Sequence, residues 1–184
     1  SNNMLANFKN GDWQLIDDVP TNETATLKET YPDEFFVEGQ IGTYYVIWNM
    51  NEDLSPVGGA ALTPEQQAEV RAAINLIYDR NYICTNISQG GEVPASSFVA
   101  MGITESDGAT QFYKNTGVSD KYDGYFDASQ EALEGNLAAC MEVLSKYYKV
   151  ENGMVTDFPA LTYLYNTNEN HKAIGEYLQS ALSN

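Results

Sequence analysis

His171 is the only histidine in this 184-residue chain, so any chemistry that needs an imidazole must pass through that one residue. A Ser–His or Cys–His hydrolase built on it would need folding to bring a hydroxyl or thiol within ~3 Å of the ring. Nothing local supplies one. No G-x-S-x-G elbow occurs, and Ser96-Ser97 has no base beside it in sequence. Cys84 and Cys140 make no metal motif, and a lone histidine leaves a zinc site without partners. Both cysteines sit in helical apolar patterns, where a thiol serves as a small hydrophobe; a single structural disulfide is the alternative. The run Glu105-Ser106-Asp107-Gly108 and the later Asp120, Asp123 and Asp127 are spaced like parts of calcium loops, but the EF-hand order is absent. They read as solvated acidic loop. Gly58-Gly59 and Gly90-Gly91 match neither the dinucleotide nor the phosphate-loop fingerprint. The expectation is that the chain is not an enzyme, with no catalytic residue, no metal and no cofactor.

One constellation remains. The apolar run 158–165 (FPALTYLY) leads into Asn166-Thr167-Asn168-Glu169-Asn170-His171 and then a helix. In open α/β sheets ligands meet the chain where a strand ends and a helix begins. The helix N-terminus offers unpaired N–H groups and partial positive charge, suited to a ligand carboxylate. His171 falls in the first turn, where the dipole disfavours its protonated form. A capping segment of Asn and Thr with an incidental histidine explains the same residues.

The elements that must hold this segment can be read from periodicity. Residues 4–10 suit a short helix stopped by Gly11, and Trp13-Gln14-Leu15-Ile16 a short strand that Pro20 cannot continue. Residues 21–30 are polar and helix-forming. Two extended runs follow, 35–38 and 41–48, the second rich in aromatic and β-branched residues and the best strand candidate in the chain. Thr63-Pro64-Glu65-Gln66 is a capping box with proline at the first helical position, and Val70, Ala73, Ile74, Ile77 and Tyr78 follow at helical spacing. A second short helix is expected from Tyr82 to Gly90-Gly91. From Gly90 to Tyr125 the pattern dissolves into an ordered excursion. Asp127 or Ala128 opens a helix carrying Leu133, Leu137, Cys140, Met141, Leu144, Tyr147 and Tyr148 on one face, ended by Asn152-Gly153. Residues 158–165 read as a buried strand, and 171–182 as a final helix facing inward through Ile174, Tyr177, Leu178, Ala181 and Leu182. The fold class is mixed α/β (α+β), a small mixed sheet packed with helices.

Composition narrows the partners. There are 26 acidic and 9 basic residues, a formal charge of -17, so phosphate backbones and anionic membrane surfaces are excluded. With 43% hydrophobic residues the chain can fill a core, and no apolar run approaches the ~18–20 residues of a membrane span. The length fits a single domain. Ser1-Asn2 has the look of a tag remnant, and a fragment of a longer protein is expected.

Three segments, taken in order, resemble the C-terminal lobe of extracellular solute-binding proteins of the oligopeptide/dipeptide class. They are Phe8-Lys9-Asn10-Gly11-Asp12 through Asp17-Asp18-Val19-Pro20; Gly42-Thr43-Tyr44-Tyr45 with Asn49, then the run from Val70-Arg71 to Asp79-Arg80 and Val93-Pro94-Ala95; and Leu161-Thr162-Tyr163-Leu164-Tyr165-Asn166-Thr167 with His171-Lys172. The resemblance implies a two-lobed clamshell architecture of the type II, cluster C periplasmic-binding-protein kind, of which residues 1–184 are part of the second lobe. It implies an oligopeptide ligand, and delivery to an ABC permease by a lipid-anchored parent outside the cell membrane or in the periplasm. Tyr44, Tyr45, Ile47 and Trp48 lie on the strand whose end faces the cleft in relatives, and His171 matches a histidine that approaches the peptide carboxyl end. The ligand-binding candidates are therefore Tyr45, Ile47, Trp48 and His171, with sheet core as the other reading of the aromatics. Val46, Ile47 and Trp48 stand where relatives carry charge, which points to a more apolar ligand. A sensing or adhesion module on the same lobe, and a hydrolase using His171, are the alternative functions. An open sheet edge would be a template for pairing two copies.

Overall fold

The computed structural model describes residues 2–114 and 119–183. Ser1 of the expected tag remnant, residues 115–118 of the long excursion, and Asn184 lie outside the described residues. The element order is α1 (Asn2–Lys9), α2 (Thr24–Thr30), α3 (Pro64–Ile74), α4 (Arg80–Tyr82), α5 (Leu133–Tyr147), a hairpin of β1 (Val150–Glu151) and β2 (Met154–Val155), and α6 (Glu169–Ser183). The fold is mixed, with helices and one small antiparallel sheet. The chain divides into two compact units, residues 1–40 with 82–93, and residues 41–81 with 94–184.

In the first unit, Leu5 of α1 and Leu27 of α2 are buried, and Phe8 meets Tyr31 edge-on at 5.8 Å. Gly11 takes the positive φ of 81° that ends α1, as its sequence position predicts. The wide helical turn Ile83–Ser88 is closed by Gln89 at φ 56°, and Lys28 donates to the Gln89 carbonyl at 3.2 Å.

The second unit is organised by α3 against α5. Thr63 accepts from the Gln66 N–H and Gln66 accepts from the Thr63 N–H, completing the expected capping box. This start fixes the phase of α3, so that Val70, Ala73 and Ile74 face Cys140, Leu144 and Tyr148. Val70, Ile74, Leu54 and Cys140 are at most 1% exposed, and each such aliphatic side chain contributes roughly 1.5–3 kcal/mol. At the far end of α3, the half-buried Arg80 donates to the Asn75 carbonyl at 3.0 Å and to Asn75 Oδ1 at 2.6 Å, and lies over the Phe126 ring. A cation there offsets the unpaired carbonyls of the helix terminus.

Several expected boundaries move. The helix expected from Asp127 or Ala128 begins at Leu133, because the Asp127 carboxylate turns back to accept the Ser129 N–H at 2.9 Å instead of capping a helix. Asn152-Gly153, read as a helix end, is the two-residue turn of the β1–β2 hairpin, with φ of 53° and 81°. The segments 13–16, 35–38, 41–48 and 158–165, expected as strands, have no ladder partner among the described residues. Aromatic and β-branched composition suits a pleated surface, but a strand exists only where a second backbone supplies the matching hydrogen bonds. Nor is 158–165 buried throughout, since Leu164 is 92% exposed.

Candidate functional site

The site is built where the 158–168 segment enters α6, within the second unit. Asn168 is the residue before α6, and its Oδ1 accepts from the N–H groups of Asn170 at 2.8 Å and His171 at 3.3 Å. That is the hydrogen bonding of an N-cap, and it sets His171 in the first turn. The Asn166 side chain turns into the same corner. Its Oδ1 accepts from the Asn168 N–H at 3.0 Å and lies 2.8 Å from His171 Nδ1. From 127 residues upstream comes Tyr44, stacked on the imidazole with ring centroids 4.9 Å apart and its hydroxyl 3.3 Å from Nδ1. Tyr163 completes the aromatic surroundings; burial, with Tyr44 adding to it, holds its hydroxyl above the usual tyrosine range.

The capping role anticipated for this segment falls to Asn168. Asn168 caps, and His171 presents its ring to a tyrosine and an amide. The other candidates go elsewhere. Tyr45 packs edge-on against Phe98 at 4.8 Å, Trp48 is half-buried against the α3–α5 core, and Ile47 is 75% exposed. Among the described residues, no hydrogen bond or ring contact joins any of the three to His171. Tyr44, named on the same aromatic run, is the residue that does, and Asn166 was not singled out. The spacing Asn166-x-Asn168 at a helix entrance carries the signal for paired side-chain turns, although not for the histidine contact.

The two segments that meet at His171 are uncharged. Residues 41–51 and 158–168 contain no Asp, Glu, Lys or Arg, in a chain of net charge -17. Among the described residues no Ser, Thr or Cys hydroxyl or thiol is bonded to the ring, and no cluster of three metal-ligating side chains occurs. A separate open hollow of about 320 Å³ is lined by Ser96, Tyr113, Tyr122, Asp123, Asp127 and neighbours. Its acids are already engaged, Asp123 by Lys114 at 3.4 Å and Asp127 by the Ser129 N–H.

The family described as bacterial extracellular solute-binding proteins, family 5 Middle, matches residues 1–184. The chain belongs to that family. Among family 5 relatives, the dipeptide-binding protein DppE of Bacillus subtilis (strain 168) is 26% identical over 152 residues, covering 83% of this chain and 23% of the relative. The oligopeptide-binding protein OppA of the same organism is 25% identical over 185 residues, covering 97% and 28%. The periplasmic murein peptide-binding protein MppA of Escherichia coli (strain K12) is 24% identical over 164 residues, covering 89% and 25%. The chain thus spans about a quarter of the length of the curated relatives it matches. No solved structure matches it with significance. Its helices and small antiparallel sheet are consistent with part of a type II family 5 protein, and these relatives are binding proteins, not enzymes. Among the described residues, no helix is long and apolar enough to cross a membrane.

Proposed function

We propose that this chain is part of the second lobe of a peptide receptor, lipid-tethered outside the cell membrane, that captures oligopeptides and passes them to an ABC importer. The observation that carries the reading is the His171–Asn166–Tyr44 cluster at the entrance of α6, beside uncharged aromatic segments, in a family 5 chain with peptide-binding relatives. Main-chain groups and termini are what all peptides share, and a polar cluster on a neutral aromatic wall suits them. Tyr44, stacked on the imidazole, is the wall beside His171, and His171 meets the peptide end. The test is calorimetric titration of the full-length parent, beside this chain, with a mixed pool of di- to hexapeptides. The parent is expected to bind, with His171→Ala weakening it roughly ten-fold or more, the worth of one hydrogen bond to a charged group. A parent that binds no peptide overturns the reading.

A self-association mode is part of the proposal. Tyr44, Tyr45, Val46 and Ile47 are each at least half exposed, uncharged, and without a ladder partner among the described residues. An unpaired edge of this kind is a template for a second chain. Sedimentation of the chain at high concentration is expected to show a concentration-dependent dimer, and a strictly monomeric profile counts against it.

A further inference from the structure

We infer that Asn166 locks His171 in the Nδ1–H tautomer, so that its Nε2 selects between the neutral and the anionic carboxyl end of a ligand; the ligand half of this inference rests on the peptide reading above. The argument starts at the Asn166 amide. The Asn168 backbone N–H can only donate, and it points at Asn166 Oδ1 from 3.0 Å. That contact fixes which end of the amide is oxygen. The same oxygen lies 2.8 Å from His171 Nδ1. An amide oxygen only accepts, so Nδ1 must carry the hydrogen. The Tyr44 hydroxyl, 3.3 Å from that nitrogen, can then only share in accepting it.

The remaining nitrogen, Nε2, has no hydrogen-bond partner among the described residues. In the neutral ring it bears a lone pair and accepts from an N–H. In the protonated ring it donates, and its bond to a carboxylate is charge-assisted. Neutral His171 therefore favours a terminal amide or backbone N–H, and a carboxylate is gripped only after protonation. The groups packed against the ring are the Tyr44 phenol and the Asn166 amide, with Tyr163 beside Tyr44. On its own helix Glu169 and Lys172 are the nearest charged residues in sequence, Lys172 lying 3.9 Å from Glu176, and no ion pair reaches the ring among the described residues. Recognition of the peptide end thereby becomes dependent on pH, with Asn166 as a positioning residue and His171 as the reader.

Two measurements test this. Nitrogen-15 NMR of the chain reads the tautomer directly, because His171 is its only histidine. The expected spectrum has a protonated Nδ1 and an unprotonated Nε2 at alkaline pH, and Asn166→Leu is expected to mix the tautomers. An Nε2–H tautomer in the unmodified chain overturns the inference. The second measurement titrates the full-length protein with the tripeptide Phe-Gly-Phe as free acid and as C-terminal amide, between about pH 8 and about pH 5.5. The acid-to-amide affinity ratio is expected to rise roughly ten-fold or more on acidification, and to stay flat in His171→Gln. Because both peptides share the same amino end, its titration cancels in the ratio. Binding with a pH-independent ratio overturns this inference and leaves the peptide reading standing, whereas no binding by either peptide overturns the peptide reading itself.

Discussion

Tyr163 rests on α6 at Gly175, where an added methyl group would lie 2.9 Å from ring carbon Cδ1 and 3.0 Å from Cε1. The aromatic segment and the helix that carries His171 are therefore held together at a point where only hydrogen fits. Alanine in a helix is worth about 1 kcal/mol over glycine, but displacing a packed ring costs about 1–3 kcal/mol. Gly175→Ala is expected to destabilise the chain by about 1 kcal/mol net in urea unfolding. Gly135, exposed on α5 with nothing within 4 Å of an added methyl, is the control, and Gly135→Ala is expected to stabilise by up to about 1 kcal/mol. Equal gains at both positions would show that the Tyr163 ring yields freely.

The Tyr148 hydroxyl donates to the Leu54 carbonyl across 94 residues of chain, inside the α3–α5 core. Tyr148→Phe keeps the ring and its contact with Phe158 but leaves a buried carbonyl unpaired. The expected loss is about 1–3 kcal/mol, read from the shift in denaturation midpoint at unchanged slope. No shift would mean that water reaches the Leu54 carbonyl.

Stability is expected to fall on the alkaline side. Burial pushes the hydroxyls of Tyr78 and Tyr148 up to about 12 from 10.0. Between those values the folded state holds protons that the unfolded chain has released, so their contribution is complete below pH 10 and is lost as pH rises through about 12. Chemical denaturation at stepped pH is expected to show this decline, reduced in Tyr78→Phe. A flat profile above pH 10 would remove these tyrosines from the account.

Neither Cys84 nor Cys140 is in a disulfide in this structure. Cys140 is buried in the α3–α5 core, and desolvation pushes its thiol up to about 11, whereas Cys84 is half-buried. Reactivity follows the thiolate. One thiol is expected to react with an aromatic disulfide reagent in the folded chain and the second only on unfolding, with Cys84→Ser removing the fast phase. Two fast thiols would mean that the core opens readily.

What was legible in the sequence was local. The Thr63–Gln66 capping box and the Val70, Ala73, Ile74 face follow from hydrogen bonds and spacing within one helix, and both are present. The Asp127 misreading has the same origin, because an aspartate capping a helix and one closing an Asx turn look alike until the next turn is formed. Asn152-Gly153 is ambiguous for a similar reason, since a glycine after a helix and a glycine in a hairpin turn both need positive φ. The strand expectations failed because pairing belongs to two segments at once, and composition specifies only one of them. At the site, the placement of His171 beside a helix start could be read from the Asn-rich run. Its stacking on Tyr44 could not, as that contact spans 127 residues and depends on packing of the whole second unit.

The uncharged segments 41–51 and 158–168, in a chain of net charge -17, have a kinetic consequence on the proposed peptide reading. Screening confines each carboxylate's influence to about 8 Å at physiological ionic strength, so distant acids act on an approaching molecule more than on a seated one. On the proposed peptide reading, cationic peptides are expected to be steered inward and acidic ones slowed, while contacts made on the uncharged segments govern departure. Peptides of opposite charge are then expected to differ in arrival rate at low salt and to converge as salt is raised, with their residence times nearly unchanged.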